Sequence, residues 1–134
     1  MKNLLNIDHV GYAVCDIMTT AQLYLNAGWT MSKIYEEKVQ NTKIAFLYKE
    51  GFTTIELVSP LNQTPSPVDK FLENGGVQPY HICYTVEDVM DSVEALHEEN
   101  FMPLFWPVES VAMDNRMICY LYNENVGLIE IVNK

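Results

Sequence analysis

Positive charge is scarce in this chain. Eight Lys and Arg stand against 18 Asp and Glu, Arg116 is the sole arginine, and the formal net charge is −10. Sequence-independent binding to nucleic acid depends on cations that neutralise phosphates, so no nucleic-acid partner is expected. Long apolar runs are also missing. None approaches the roughly 20 residues of a membrane span, and MKNLLNIDHV lacks the apolar region and cleavage site of a secretory leader, so a cytoplasmic protein without a membrane partner is expected. The three cysteines, Cys15, Cys83 and Cys119, form neither a CxxC metal pair nor a disulfide framework. Each sits in apolar, strand-like sequence, the setting of reduced buried thiols. Gly and Pro, six each, are too few for a disordered or collagen-like chain, and 49% hydrophobic residues suit one globular domain over 1–134.

What the chain does contain is an internal repeat. IAFLYKEGFTTIELV, from Ile44 to Val58, aligns without a gap on ICYLYNENVGLIEIV, from Ile118 to Val132. Phe46 meets Tyr120, Tyr48 meets Tyr122, and Ile55-Glu56 meets Ile129-Glu130. Upstream, HVGYAVCDI from His9 repeats as HICYTVEDV from His81, pairing Tyr12 with Tyr84 and Asp16 with Asp88. Each half therefore reads as a His-bearing strand, a helix, a connecting strand and a hairpin whose last strand carries Ile-Glu. Asp16 and Asp88 are good N-caps, and apolar Ile17, Ala21 and Tyr24, then Val89, Val93 and Leu96, recur at helical spacing. Gly28 and Asn100 are expected left-handed stops. A shorter helix is expected to begin at Ser66-Pro67 and end before Asn74. The predicted fold is α+β: two tandem βαβββ modules, at about 5–60 and 78–134 with a linker helix within 61–76, form a curved mixed sheet around a metal-binding cleft.

Alternation along a strand puts residues two apart on one face. His9, Gly11, Ala13 and Cys15 share one face of the first strand, and His81, Cys83 and Thr85 share one face of its repeat. Glu56 and Glu130 stand opposite the apolar Ile55, Leu57, Ile129 and Ile131. One face suits helix packing, while the other carries four ligand-type side chains among small groups and is expected to be an open cleft. A single His or Glu on a strand is usually a surface or hydrogen-bonded structural residue. An ionised carboxylate inside an apolar strand, occurring twice in register, points to a cation. His9, Glu56, His81 and Glu130 are therefore the expected ligands of one divalent metal ion, with Zn, Ni, Co or Mn suiting imidazole and carboxylate donors. His97, in the Glu-rich HEEN, reads as a solvated surface residue.

At these residues the chain resembles the vicinal oxygen chelate superfamily, which contains glyoxalase I, extradiol dioxygenases and methylmalonyl-CoA epimerase. IDHVGYAV, IELVSPL, SPVDKFLENGG, YHICYTVEDV and GLIEIV are most similar to the epimerases. The resemblance implies the same four metal ligands, a homodimer and inversion of the α-carbon of an acyl-CoA through a metal-stabilised enolate. Glu56 and Glu130 are then the candidate catalytic acid–base groups, with Glu36, Glu37 or Lys43 approaching from neighbouring strands. Three features depart from the epimerase pattern. Gln40 lies in KVQNT, the usual Gly-rich loop is ESVAMDNRM, and the position of a base in some epimerases falls near apolar Ile44. Lys38, Lys43, Lys49 and Arg116 are the cations available to a phosphate-bearing substrate. Two other readings stand beside this one. The ligand set fits a glyoxalase I-type lyase acting on a thiol hemithioacetal equally well. The aromatic residues, among them Trp29 and Trp106, allow a noncatalytic small-molecule binding or resistance protein.

Overall fold

The computed structural model describes residues 1–134. The chain forms ten strands and three helices, the α+β class the pattern predicts. Its first half contains β1 (Ile7–Ala13), α1 (Ile17–Asn26), β2 (Thr30–Met31), β3 (Tyr35–Glu37), β4 (Thr42–Tyr48) and β5 (Ile55–Pro60), followed by α2 (Asp69–Glu73). The second contains β6 (Gln78–Val86), α3 (Val89–Glu98), β7 (Met102–Pro103), β8 (Val108–Ser110), β9 (Arg116–Asn123) and β10 (Gly127–Asn133). No helix is long and apolar enough to cross a membrane.

Two compact units emerge, one of residues His9–Tyr80 and one of Met1–Asp8 with His81–Lys134. The N-terminal residues join the second unit through backbone bonds, Leu5 N to Thr85 O and Thr85 N to Asn6 O, both 2.9 Å. In the first unit the strand order is β2-β4-β5-β1, with β3 also on β4. In the other it is β6-β10-β9-β7, with β8 also on β9. The β1–β5 and β10–β6 pairs are parallel, and the hairpins are antiparallel. The connecting strand of each βαβββ repeat is thus interrupted: β2 and β3 are two pieces on one partner, as are β7 and β8.

The caps behave as their side chains require. Asp16 accepts from Thr19 N at 2.9 Å and Asp88 from Asp91 N at 2.9 Å, each satisfying an orphan amide of a first helical turn. Gly28 and Asn100 are left-handed, with φ of 89° and 67°. α2 departs from expectation and starts at Asp69, although the Asp69 carboxylate turns back to accept from Ser66 N at 2.8 Å, one half of a capping box. Ser66 Oγ is buried without a hydrogen-bond partner, so it does not cap the helix. Cys15 also departs from expectation. β1 ends at Ala13, which leaves this thiol exposed in the turn before α1, whereas Cys83 and Cys119 are buried.

Each helix covers the apolar face of its own sheet. Ile17 and Ala21 of α1 pack with Val14, Ala45, Leu47 and Leu57. Val89 and Leu96 of α3 pack with Phe101, Leu121, Ile129 and Ile131. At roughly 25 cal/mol per Å² of apolar area, burial of this kind dominates the stability of each unit. The sheet face away from the helix is left to His9 and Glu56 in one unit, and to His81 and Glu130 in the other.

Candidate metal centre

The parallel ladder between β1 and β5 sets Gly11 beside Glu56, so His9, two residues earlier, shares a face with that carboxylate. His9 Nε2 lies 3.4 Å from Glu56 Oε1. The second unit repeats the arrangement: Cys83 pairs with Glu130, His81 precedes Cys83 by two, and His81 Nε2 lies 3.1 Å from Glu130 Oε2. All four residues are at most 3% exposed. The two imidazoles and two carboxylates are thus withdrawn from solvent at the base of their sheet faces.

A further residue recurs in each unit. Phe46 lies opposite Glu56 across the β4–β5 hairpin, and Tyr120 lies opposite Glu130 across β9–β10. Each ring meets the histidine of its unit edge to face. The centroids are 5.6 Å apart at 74° for His9–Phe46 and 5.1 Å apart at 81° for His81–Tyr120. Sequence reading paired Phe46 with Tyr120 in the repeat and counted Tyr120 among the aromatic residues of the binding-protein reading, but gave neither a role beside the histidines. The signal was their position on the carboxylate face, opposite the Ile-Glu strand.

Register also sorts the other candidates. Glu37 pairs with Thr42 and Tyr35 with Ile44, and 42, 44 and 46 share a face of β4, so Glu37 lies on the carboxylate-bearing face and is buried. Glu36 and Lys43 pair with each other on the opposite face. Lys49 Nζ donates to Ala27 O at 2.8 Å, capping the end of α1. Arg116 donates from Nε to Met113 O at 3.0 Å and from Nη1 to Asn133 O at 3.1 Å, and its Nη2 stands 3.8 Å from Asp8. Lys38 is exposed, Gln40 is half-buried in the turn before β4, and His97 is exposed with Nδ1 3.3 Å from Phe101 O.

The segment that replaces a Gly-rich loop is well built. Val111–Met113 form a short 3-10 turn, and Asp114 and Asn115 follow with φ of 57° and 60°. Asp and Asn tolerate this left-handed conformation better than other residues with a Cβ. Asn115 N closes the turn on Ser110 O at 2.8 Å. Nearby, burial first and the Glu130 charge second push the Cys119 thiol up to about 12.

Residues 8–120 match the family described as the glyoxalase/bleomycin resistance protein/dioxygenase superfamily. The ethylmalonyl-CoA/methylmalonyl-CoA epimerase of Cereibacter sphaeroides is 34% identical over 96 residues, 69% of each chain. The uncharacterized protein YqjC of Bacillus subtilis is 28% identical over 95 residues, 70% of this chain and 66% of that protein, just under two thirds of its length. Among solved structures, methylmalonyl-CoA epimerase from Mycobacterium tuberculosis superposes with a TM-score of 0.85 at 24% identity, covering 98% of this chain and 89% of that one. A hypothetical protein from Bacillus halodurans gives 0.82 at 26% identity, covering 96% and 93%. Streptomyces coelicolor methylmalonyl-CoA epimerase in complex with 2-nitronate-propionyl-CoA gives 0.83 at 23% identity, covering 98% of both. These likenesses carry the vicinal oxygen chelate fold that the resemblance implied. The chain belongs to the glyoxalase/bleomycin resistance protein/dioxygenase superfamily.

Proposed function

We propose that this protein is a metal-dependent isomerase, methylmalonyl-CoA epimerase-like, that inverts the α-carbon of an acyl-CoA. In this reading His9, Glu56, His81 and Glu130 hold one divalent ion. The observation that carries it is the buried His–Glu pair, built twice from equivalent strands. Donor atoms about 2.1 Å from a common ion stand ~3.0 Å apart in octahedral and ~3.4 Å apart in tetrahedral geometry. The two pairs measure 3.4 and 3.1 Å. Imidazole and carboxylate donors suit Co, Ni, Zn or Mn, the metals expected from the sequence.

When bound, such an ion supplies Lewis acidity toward the carbonyl and carboxylate oxygens of the substrate. The chain supplies the rest. Inversion requires one group to take the α-proton and another to return a proton on the opposite face. Glu56 and Glu130 are the acid–base candidates within the ligand set, and Glu37 is the neighbouring carboxylate whose register puts it on the face of Glu56. Burial of the four ligand residues keeps bulk water from competing at the donors. Two relatives support the acyl-CoA assignment, one named as an ethylmalonyl-CoA/methylmalonyl-CoA epimerase and one solved with 2-nitronate-propionyl-CoA. We further propose a cytoplasmic homodimer.

The test is deuterium wash-in at the α-carbon of methylmalonyl-CoA. Exchange that needs added metal supports the reading, and no exchange by fully metallated protein contradicts it. One observation favours a second reading. Ile44, near which the position of a base in some epimerases falls, is apolar and 7% exposed on the carboxylate-bearing face. A glyoxalase I-type reaction on a thiol hemithioacetal, with Glu56 or Glu130 moving the proton, does not need that base. Loss of the hemithioacetal absorbance without exchange into methylmalonyl-CoA would decide for it.

A further inference from the structure

We infer that Phe46 and Tyr120 are positioning residues that fix the ring planes of His9 and His81. The torsion that orients an imidazole is broad, so a histidine on a strand needs contacts to select one ring plane. In each unit the carboxylate approaches one edge at Nε2, and the aromatic ring meets the same imidazole at a near-perpendicular angle, 74° in one unit and 81° in the other. Two contacts in different directions define a plane where one leaves rotation free.

The support extends beyond the first ring. Tyr48 stacks on Phe46 with centroids 6.4 Å apart at 25°, and Phe105 leans on Tyr120 at 5.8 Å and 57°. The outer strand is also interrupted beside the same residue in both units. Ser32 N donates to Phe46 O and Ser32 Oγ accepts from Phe46 N, both at 2.9 Å, in the gap between β2 and β3. Leu104 N donates to Tyr120 O at 2.9 Å in the gap between β7 and β8. Because the hydroxyl of Tyr120 has no counterpart on Phe46, the shared function resides in the ring.

The inference deepens the metal reading and rests on it for its effect on ion binding. An edge-to-face pair shifts an equilibrium about 2- to 10-fold. The full chain, freed of metal by chelation, is titrated with cobalt while its visible d–d absorption is recorded. Phe46→Leu and Tyr120→Leu, checked for folding by circular dichroism, are expected to weaken cobalt binding by about that factor each and to alter the absorption bands. Phe46→Tyr and Tyr120→Phe keep a ring and are expected to match the parent chain. Leucine variants that fold and bind cobalt with parental affinity and spectrum overturn the inference. If the parent chain takes up no cobalt, the metal reading fails, and the metal-free protein decides this inference by NMR. Side-chain NOEs from His9 to Glu56 and from His81 to Glu130 then weaken in the leucine variants if the rings position the imidazoles. NOEs of unchanged intensity overturn it.

Discussion

His81 Nε2 stands 3.1 Å from Glu130 Oε2, across parallel strands in which the histidine precedes the ladder partner of the glutamate by two residues. His9 and Glu56 repeat this relationship at 3.4 Å. A two-residue offset on parallel neighbours is the smallest that puts two side chains diagonally on one face. Duplication of the βαβββ module therefore copies a buried His–Glu pair, the pair on which the proposed metal reading rests.

The placement of Glu37 separates it from its neighbours in the acid–base assignment. Glu37→Gln is expected to lower the rate of α-proton exchange by about 10²- to 10⁴-fold, the range for loss of a general acid or base. Glu36→Gln and Lys43→Met, on the opposite face, are expected to keep the exchange rate within about twofold. Single-turnover exchange in deuterated buffer measures all three. Parental exchange by Glu37→Gln removes the residue from the assignment.

Asp16 and Asp88 cap equivalent helices, and their loss is read in urea denaturation. Asp88→Ala is expected to cost about 1 kcal/mol. The Thr19 hydroxyl and amide hold the Asp16 carboxyl below its ordinary value. A folded-state value below the unfolded one means that the cap's contribution is complete above the unfolded value of 3.8 and is lost as pH falls through the folded one. The difference in stability between the parent chain and Asp16→Ala should therefore shrink below pH 3.8. A difference independent of pH would remove the carboxylate from the account.

Thiol reactivity follows burial. Cys15 is exposed, while Cys83 and Cys119 are buried, so a native chain should react at Cys15 alone with an aromatic disulfide reagent, and all three should react in denaturant. With its thiol pushed up to about 12, Cys119 is roughly 1 part in 10⁴ thiolate at pH 8. Because this folded value lies above the unfolded one, its contribution to stability is complete below pH 9 and fades as pH rises toward 12. Mass spectrometry of the labelled chain distinguishes the sites, and fast native labelling at Cys119 contradicts the packing described.

The left-handed turn before β9 responds to the backbone preference of its residues. Asn115, at φ 60°, is expected to tolerate Gly with little change, whereas Asn115→Val should cost about 1–2 kcal/mol because its Cβ is disfavoured there. Thermal denaturation of both variants measures the contrast, and equal midpoints would show that the turn relaxes.

Much of this was legible in the chain because it is local or repeated. The Asp caps, the left-handed Gly28 and Asn100, and the Ile-Glu strands depend on neighbours within a few residues or on the alternation of one strand. The interruption between β2 and β3 was not legible, since it is set by which residues of β4 each piece meets across the sheet. Burial of Glu37 and exposure of Cys15 also escaped, because each turns on register or on where a strand stops. The His–aromatic contacts lay in plain view as the alignment of Phe46 with Tyr120. Their geometry needed the hairpin register, which period-two alternation alone does not provide.

The most direct test of the central claim is the stoichiometry of divalent metal on the full chain, by calorimetric titration of chelator-treated protein with cobalt. The account predicts one ion per chain, lost or weakened more than about 100-fold in both Glu56→Gln and Glu130→Gln, since a direct ligand should exceed the 10- to 100-fold typical of an outer partner. Two ions per chain, each abolished by only one of these substitutions, or parental binding by either variant, would contradict it.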